Sequence, residues 1–231
     1  MKSKLRQVKK FKDFTLYCYG DSTVYLLSFK DDMRMSLSFM RFQENYESPK
    51  FKGKYFDVLE YVEWYCKSRD QKYFSYMEDW GGFNIPDYVV ARMMENLNDF
   101  SKFEMNIIDS NRSIRLDLDS RSRHSDKFYL IGALAGDETT LDHELSHGLW
   151  HTNPLCRRRS KSIIKGLKKK EYDSLKSWLI EMGYHKSVID DEINAYLSTG
   201  IEHDVKGLKK SQIDKISKPF IENFNLFKNE L

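Results

Sequence analysis

Apolar residues recur at strand-like intervals in the first part of the chain. Two short segments rich in β-branched and aromatic residues, 14–19 and 23–29, are separated by Gly-Asp-Ser at 20–22, a pattern that predicts a β-hairpin. Residues 33–42 then alternate apolar and polar side chains, as a half-buried strand does. We therefore predict three consecutive antiparallel strands near the N-terminus.

Two further strands are predicted downstream. Residues 114–119 alternate strictly, and 128–134 is the most apolar run of the chain, which indicates a buried strand. An extended peptide could pair with the exposed rim of the 128–134 strand. Between these segments and the hairpin lies the aromatic loop 73–85, which either lines a substrate cleft or packs as a small satellite core.

In the remaining segments the apolar residues recur at helical spacing, which predicts amphipathic helices. Helices are predicted at 55–65, 86–97, 101–109, 139–151, 157–170, 172–182 and 188–197. Ser187 and Asp190 are expected to form a capping box at the start of the last of them. The whole pattern predicts an α+β protein, a single domain in two lobes: an antiparallel β-rich N-terminal lobe, 1–126, and a helical lobe, 127–231.

Composition and charge narrow the class of protein. The 231 residues are 40% apolar and 32% charged, with 38 basic and 35 acidic side chains, so a soluble globular protein is expected. The small positive excess speaks against nucleic acid as a partner. Three widely spaced cysteines indicate no disulfide framework, and no apolar run suits a leader or a membrane span. We expect a cytoplasmic protein with no membrane partner, and the oligomeric state stays open.

The strongest chemical signal is the H-E-x-x-H run of residues 143–147. Thr139 or Thr140 is the expected N-cap of a helix that carries this run. On a helix, positions i and i+4 lie on one face, so both imidazoles can bind one metal ion. Glu144, between them, can accept a proton from a water molecule that the metal activates.

A catalytic zinc site needs a third protein ligand and an open position. The downstream candidates are His151, Asp190, Asp191, Glu192 and His203. His151 follows His143 by two helical turns, about 12 Å along the axis, so it cannot share the metal unless the helix breaks. We expect a capping or surface role for His151, and the alternative is a position at the cleft edge. Glu192 and Ala195 share a face of the 188–197 helix, and the small alanine allows close packing against the metal helix. Glu192 is therefore the preferred third ligand, and the alternative is a solvated glutamate.

Residues 140–149 and the Glu-Ile-Asn-Ala element at 192–195 resemble the zincin metallopeptidases, and among them the gluzincins, whose third ligand is a glutamate on a second helix. The resemblance covers about residues 128–197. It implies a zincin-like fold in which His143, His147 and Glu192 hold Zn²⁺ between two helices. It also implies zinc-dependent hydrolysis of a peptide or protein substrate, with Glu144 as the general base.

Peptide hydrolysis also requires a hydrogen-bond donor to the oxyanion and a partner that orients a ligand histidine. Tyr196, one turn after Glu192 on a similar face, and His203, which follows the end of the helix, are the favoured donors. Tyr184 and His185, which flank the start of the helix, are further candidates. The partners considered for a ligand histidine are Asp142 and Asp191.

The main alternative is a non-catalytic interaction protein in which the metal only joins the helices. In that case the partner would bind the 157–170 segment, which has eight basic residues and no acidic one, or the aromatic loop 73–85. A solvated helix face also explains the basic segment. A fourth protein ligand, such as His151 or His203, would favour the interaction protein. A zinc hydrolase that acts on a non-peptide amide is a third possibility.

Overall fold

The computed structural model describes residues 5–124, 127–201 and 203–231, and its strands form one five-stranded sheet. The strands are β1 (Leu5–Lys10), β2 (Phe14–Tyr19), β3 (Val24–Phe29), β4 (Gly82–Pro86) and β5 (Tyr129–Leu134). Their order is β1-β2-β3-β5-β4, and neighbouring strands are antiparallel except β3 and β5, which run parallel. The predicted α+β class is confirmed, but the sheet is mixed and not purely antiparallel.

Helices occupy most of the remaining described residues. They are α1 (Asp32–Glu47), α2 (Val58–Ser68), α3 (Tyr76–Asp79), α4 (Asp87–Asn96), α5 (Met105–Ser120), α6 (Glu138–Thr152), α7 (Pro154–Gly166), α8 (Lys169–Glu181), α9 (Ile189–Thr199) and α10 (Lys210–Lys228). None of these helices has the length and the apolar character that a membrane crossing requires.

The two faces of the sheet are covered by α1 and α6. On one face the Phe39 ring of α1 stacks on Phe83 of β4, with 5.4 Å between centroids. On the other face Leu149 of α6 is buried in a cluster with Val24 of β3. A Cβ at Gly148 would lie 2.7 Å from a Val24 methyl carbon, so the missing side chain lets α6 pack directly on the sheet. This packing fixes the helix that carries the H-E-x-x-H run.

The predicted strand at 33–42 is wrong, because this segment belongs to α1. The Asp31 side chain caps the helix by accepting a backbone hydrogen bond of 2.8 Å from the first turn. Met35 and Phe39, one turn apart, are both fully buried. The apolar residues fit a helical period as well as an alternating one. The third antiparallel strand is instead β1, whose mostly exposed polar residues give no strand pattern.

The predicted strand at 114–119 is also wrong, because it continues the helix expected at 101–109 as α5. Ile114 and Leu118 are buried one turn apart, whereas Leu116, which completes the alternation, is 71% exposed. The pattern of buried side chains therefore follows the helical period of 3.6 residues and not the two-residue period of a strand.

Several other expectations are confirmed: the β2–β3 hairpin, the buried strand β5, and the helices α2, α4, α6, α8 and α9. The loop 73–85 contains α3 and β4, which were not predicted, and α10 has no predicted counterpart. The rim of β5 is not exposed, because β5 lies between β3 and β4; the edge strand on this side of the sheet is β4, and β1 forms the other edge. The division into two lobes stays a prediction.

Candidate metal centre

Three side chains from α6 and α9 converge on one point. The Nε2 atoms of His143 and His147 are 3.3 Å apart, because the two residues are one turn apart on α6. Glu192 Oε2 of α9 lies 3.6 Å from His147 Nε2 and 4.0 Å from His143 Nε2. The structure therefore brings together the three residues that the sequence selected.

The geometry of this group suits a tetrahedral metal ion. With metal–ligand bonds of ~2.1 Å, tetrahedral ligand atoms lie about 3.4 Å apart, close to the separations of 3.3, 3.6 and 4.0 Å. Glu192 is 2% exposed, and its Oε2 has no hydrogen-bond partner among the described residues. A buried carboxylate oxygen without a donor is costly, and a bound cation would satisfy it.

Close packing of α9 on α6 places Glu192 within reach. Ala195 is fully buried, as expected for a small residue at the helix contact. The Asn194 side chain donates a buried hydrogen bond of 3.0 Å to Ser146 Oγ of α6.

The starts of the two helices differ from the predictions. Asp137 caps α6, and the expected capping box at α9 is absent, since Val188 precedes that helix without a side-chain cap.

Asp191 lies against the Nδ1 side of His147. Its Oδ1 lies 3.0 Å from His147 Nδ1, which leaves His147 Nε2 directed at Glu192 and His143. Of the two aspartates considered for this role, Asp142 instead pairs with Lys228 at 2.6 Å. The other ligand histidine, His143, has its Nδ1 3.4 Å from Thr199 Oγ1.

Burial and charge set the protonation of the ligands. Burial lowers the pKa of His143 to about 3, so its imidazole is neutral and can donate a lone pair. Burial also opposes the charged form of His147, but the charges of Glu192 and Asp191 outweigh it and raise the pKa of His147 well above its usual value. Burial raises the pKa of Glu192. A metal ion that binds His147 and Glu192 must therefore displace a proton.

Glu144 lies beside the ligands and borders the adjoining cleft. Burial raises its pKa to about 7, against the charge of His147 and a hydrogen bond from Asn84. Asn84 Nδ2 donates to Glu144 Oε2 at 2.8 Å. The other oxygen, Oε1, lies against Gly82, where a Cβ would come within 2.6 Å of it. A carboxylate with one oxygen anchored is suited to accept a proton at the other.

A cleft of about 630 Å³ opens in front of His143 and Glu144. Tyr196 contributes to its wall, and the Tyr196 ring stands edge-on to the His143 ring at 4.6 Å. The Tyr196 hydroxyl is 3.2 Å from that of Tyr184, which also lines the cleft. His203 lies in the same wall but does not join the ligand group.

The remaining candidates occupy other positions. His151 lies outside the group of three side chains that could hold a metal ion. Its side chain is 23% exposed, stacks on Tyr129 and lies 3.1 Å from Asp191 Oδ2. Asp190 accepts a hydrogen bond from Tyr172. The sequence signalled neither the contact of His151 with Asp191 nor that of Asn84 with Glu144.

The two segments named for a binding partner also have defined positions. Most of the basic residues of 157–170 are exposed on α7 and at the start of α8, as a solvated helix face requires. In the segment 73–85, Trp80 and Gly82 line the cleft, whereas Tyr76 and Phe83 are buried in the core. The aromatic segment therefore serves both as cleft wall and as core.

Comparison of the chain with models of known protein families, with curated proteins and with solved structures finds no match. The function must therefore be argued from the site alone.

Proposed function

We propose that this protein is a zinc-dependent peptidase with His143, His147 and Glu192 as the metal ligands and Glu144 as the general base. The observation that carries the proposal is the convergence of two imidazole nitrogens and an unpartnered carboxylate oxygen beside a buried glutamate at the wall of a cleft. Among metals, Zn²⁺ commonly takes two histidines and one carboxylate in catalytic sites.

The ligand set favours a catalytic over a structural metal. Among the described residues, the group of side chains able to ligate contains only these three, and no fourth His, Cys, Asp or Glu joins it. Three protein ligands leave one position for water or substrate. Zinc in such a site polarises a carbonyl and makes a water molecule more acidic.

The surrounding residues have distinct roles in the proposed reaction. Glu144 accepts a proton from the attacking water and passes it to the leaving amine. The Tyr184 and Tyr196 hydroxyls hydrogen-bond to each other, so one of the two protons is free to reach a substrate oxygen in the cleft. This arrangement supports Tyr196 as the oxyanion donor, with Tyr184 as its partner, ahead of His203.

The edge strand β4 supports a peptide as the substrate. Gly81 and Gly82 lie along the cleft. The Asn84 N–H points away from β5, since it donates to the Gln43 side chain. By the two-residue period of a strand, the backbone groups of Gly82 face the same open edge. An extended peptide could pair with this edge and place a carbonyl near Glu144.

Two substitutions test the proposal. His143→Ala should lose the zinc that the wild-type protein binds at one ion per chain. Glu144→Gln should keep the zinc and lose hydrolysis of a quenched fluorescent peptide library. His124→Ala, which removes a side chain that is 69% exposed, is the matched control and should keep both. An active Glu144→Gln variant would rule out the assigned base.

The non-catalytic interaction protein is the second candidate, and the exposed basic residues of α7 are the observation in its favour. A wild-type protein that binds zinc, hydrolyses no peptide and binds a partner through α7 would support this alternative. The cytoplasmic location and the non-peptide amide substrate stay predictions from the sequence.

A further inference from the structure

A set of polar side chains adjoins the metal centre without lining the cleft; all are buried except one histidine, which is half-buried. It starts at the general base, where Asn84 of β4 donates to Glu144. The Asn84 Oδ1 atom accepts a hydrogen bond of 2.6 Å from the Tyr129 hydroxyl of β5. In the antiparallel register of β4 and β5, Tyr129 lies two positions from Ile131, the partner of Asn84, so the two side chains project from the same face of the sheet.

The same tyrosine contacts the next two members of the set. Its ring stacks on the His151 imidazole of α6, with 4.6 Å between centroids. The Tyr46 hydroxyl of α1 lies close enough to the Tyr129 hydroxyl for the two to interact electrostatically. The Tyr46 hydroxyl in turn lies 2.9 Å from His151 Nε2.

The set ends at a metal ligand. His151 Nε2 lies 3.1 Å from Asp191 Oδ2, and the other oxygen of Asp191 lies 3.0 Å from His147 Nδ1. A continuous series of contacts thus runs from the general base, Glu144, to the ligand His147 without passing through the cleft. We call Asn84, Tyr129, Tyr46, His151 and Asp191 the rear network.

We propose that the rear network positions the general base and the ligand His147 together, so that a change at one end alters the other. Asn84, Tyr46, Tyr129 and His151 are then positioning residues, since none of them is a ligand. This inference rests on the proposed zinc site, but it makes a claim about zinc affinity that does not depend on peptidase activity.

Burial is the reason to expect coupling. Asn84 and Asp191 are each 6% exposed, and Tyr129 is fully buried. Buried polar groups are costly when unpaired, so each member is held by the hydrogen bonds, ion pairs or ring contacts of its neighbours. The members come from β4, β5, α1, α6 and α9, and the loss of one bond leaves an unsatisfied atom in each adjoining element.

The test measures zinc affinity by competition with a chelator. His151→Gln removes the contact that holds Asp191 and should weaken zinc binding by about tenfold, the lower end of the range for loss of the direct partner of a ligand histidine. Tyr129→Phe keeps the ring and removes only the hydroxyl, and we expect a loss of about fivefold. The double variant should lose less than the product of the two single losses, because both act through one network.

Tyr19→Phe is the matched control. The Tyr19 hydroxyl is also buried but has no hydrogen-bond partner among the described residues, so its removal should leave zinc affinity unchanged. Additive losses in the double variant would overturn the coupling. So would a Tyr129→Phe variant with a lower melting temperature and wild-type zinc affinity, because a purely structural role predicts that result. Coupled zinc affinities without any peptide hydrolysis would support the network and contradict the peptidase.

Discussion

Gly82 offers the sharpest test of how tightly the general base is held. An added Cβ at this position would lie 2.6 Å from Glu144 Oε1, 2.9 Å from Glu144 Cγ and 2.5 Å from Thr140 Cγ2. Ordinary contact distances are about 3.5 Å or more, so Gly82→Ala must displace the Glu144 side chain by about 1 Å. The hydrogen bond from Asn84 to the other carboxylate oxygen opposes that movement.

A displacement of about 1 Å at a catalytic group can cost roughly 100-fold in rate. We expect Gly82→Ala to lower kcat for peptide hydrolysis by about that factor and to keep its zinc, because the three atoms nearest to the added Cβ belong to Thr140 and Glu144 and not to a ligand. The assay is hydrolysis of a quenched fluorescent peptide at saturating zinc, with metal content and melting temperature measured on the same sample.

The neighbouring glycine provides the matched control. A Cβ at Gly81 would lie 3.2 Å from Thr140 Oγ1, a rotatable hydroxyl, and nothing else within 3.4 Å. Gly81→Ala should therefore retain most of the activity. Wild-type kcat in a folded, zinc-loaded Gly82→Ala variant would refute the assignment of Glu144 as a closely held base.

Two further predictions concern protonation. Burial raises the pKa of the Glu44 carboxyl group from 4.5 to about 7. The folded protein therefore binds the carboxyl proton more tightly than the unfolded chain does. As a result, the contribution of Glu44 to the free energy of unfolding falls by ~3 kcal/mol as the pH rises from 4.5 to about 7. Glutamine does not titrate, so the free energy of unfolding of Glu44→Gln minus that of the wild type should be ~3 kcal/mol larger at about pH 8 than at about pH 4, as measured by urea titration. The same difference at both pH values would contradict the raised pKa of Glu44. Zinc binding should release protons, because the pKa values of His147 and Glu192 are raised in the metal-free protein. Zinc affinity should therefore increase with pH. Calorimetry in buffers of different ionisation enthalpy measures the protons released on zinc binding, and no release would contradict the raised pKa values of His147 and Glu192.

The sequence predicted the ligands because their geometry is local or nearly so. The i, i+4 spacing on α6 places His143 beside His147, and a small residue one turn after Glu192 indicated the face of α9 that packs there. Asp191 could be considered only because it adjoins Glu192. The contacts that complete the site come from Asn84 and Tyr46, about 60 and 100 residues from their partners, and no spacing rule reaches that far.

The fold was predicted less well for a similar reason. In 33–42 and 114–119, apolar residues fit both a period of two and a helical period, and the choice depends on the Asp31 cap and on which side chains the sheet buries. β1 is polar and is held in the sheet by pairing with β2, which its own sequence does not indicate. β4 is short, and Gly82 at its start favours a loop in a prediction from sequence, because the contact of Gly82 with Glu144 is visible only in the structure.

The most direct test of the proposed zinc centre is a crystal structure of the zinc-loaded protein with anomalous data at the zinc edge. We expect one anomalous peak about 2.1 Å from His143 Nε2, His147 Nε2 and Glu192 Oε2, with one position open toward the cleft. A zinc ion held by other residues, or no peak at this site, would contradict the proposed centre.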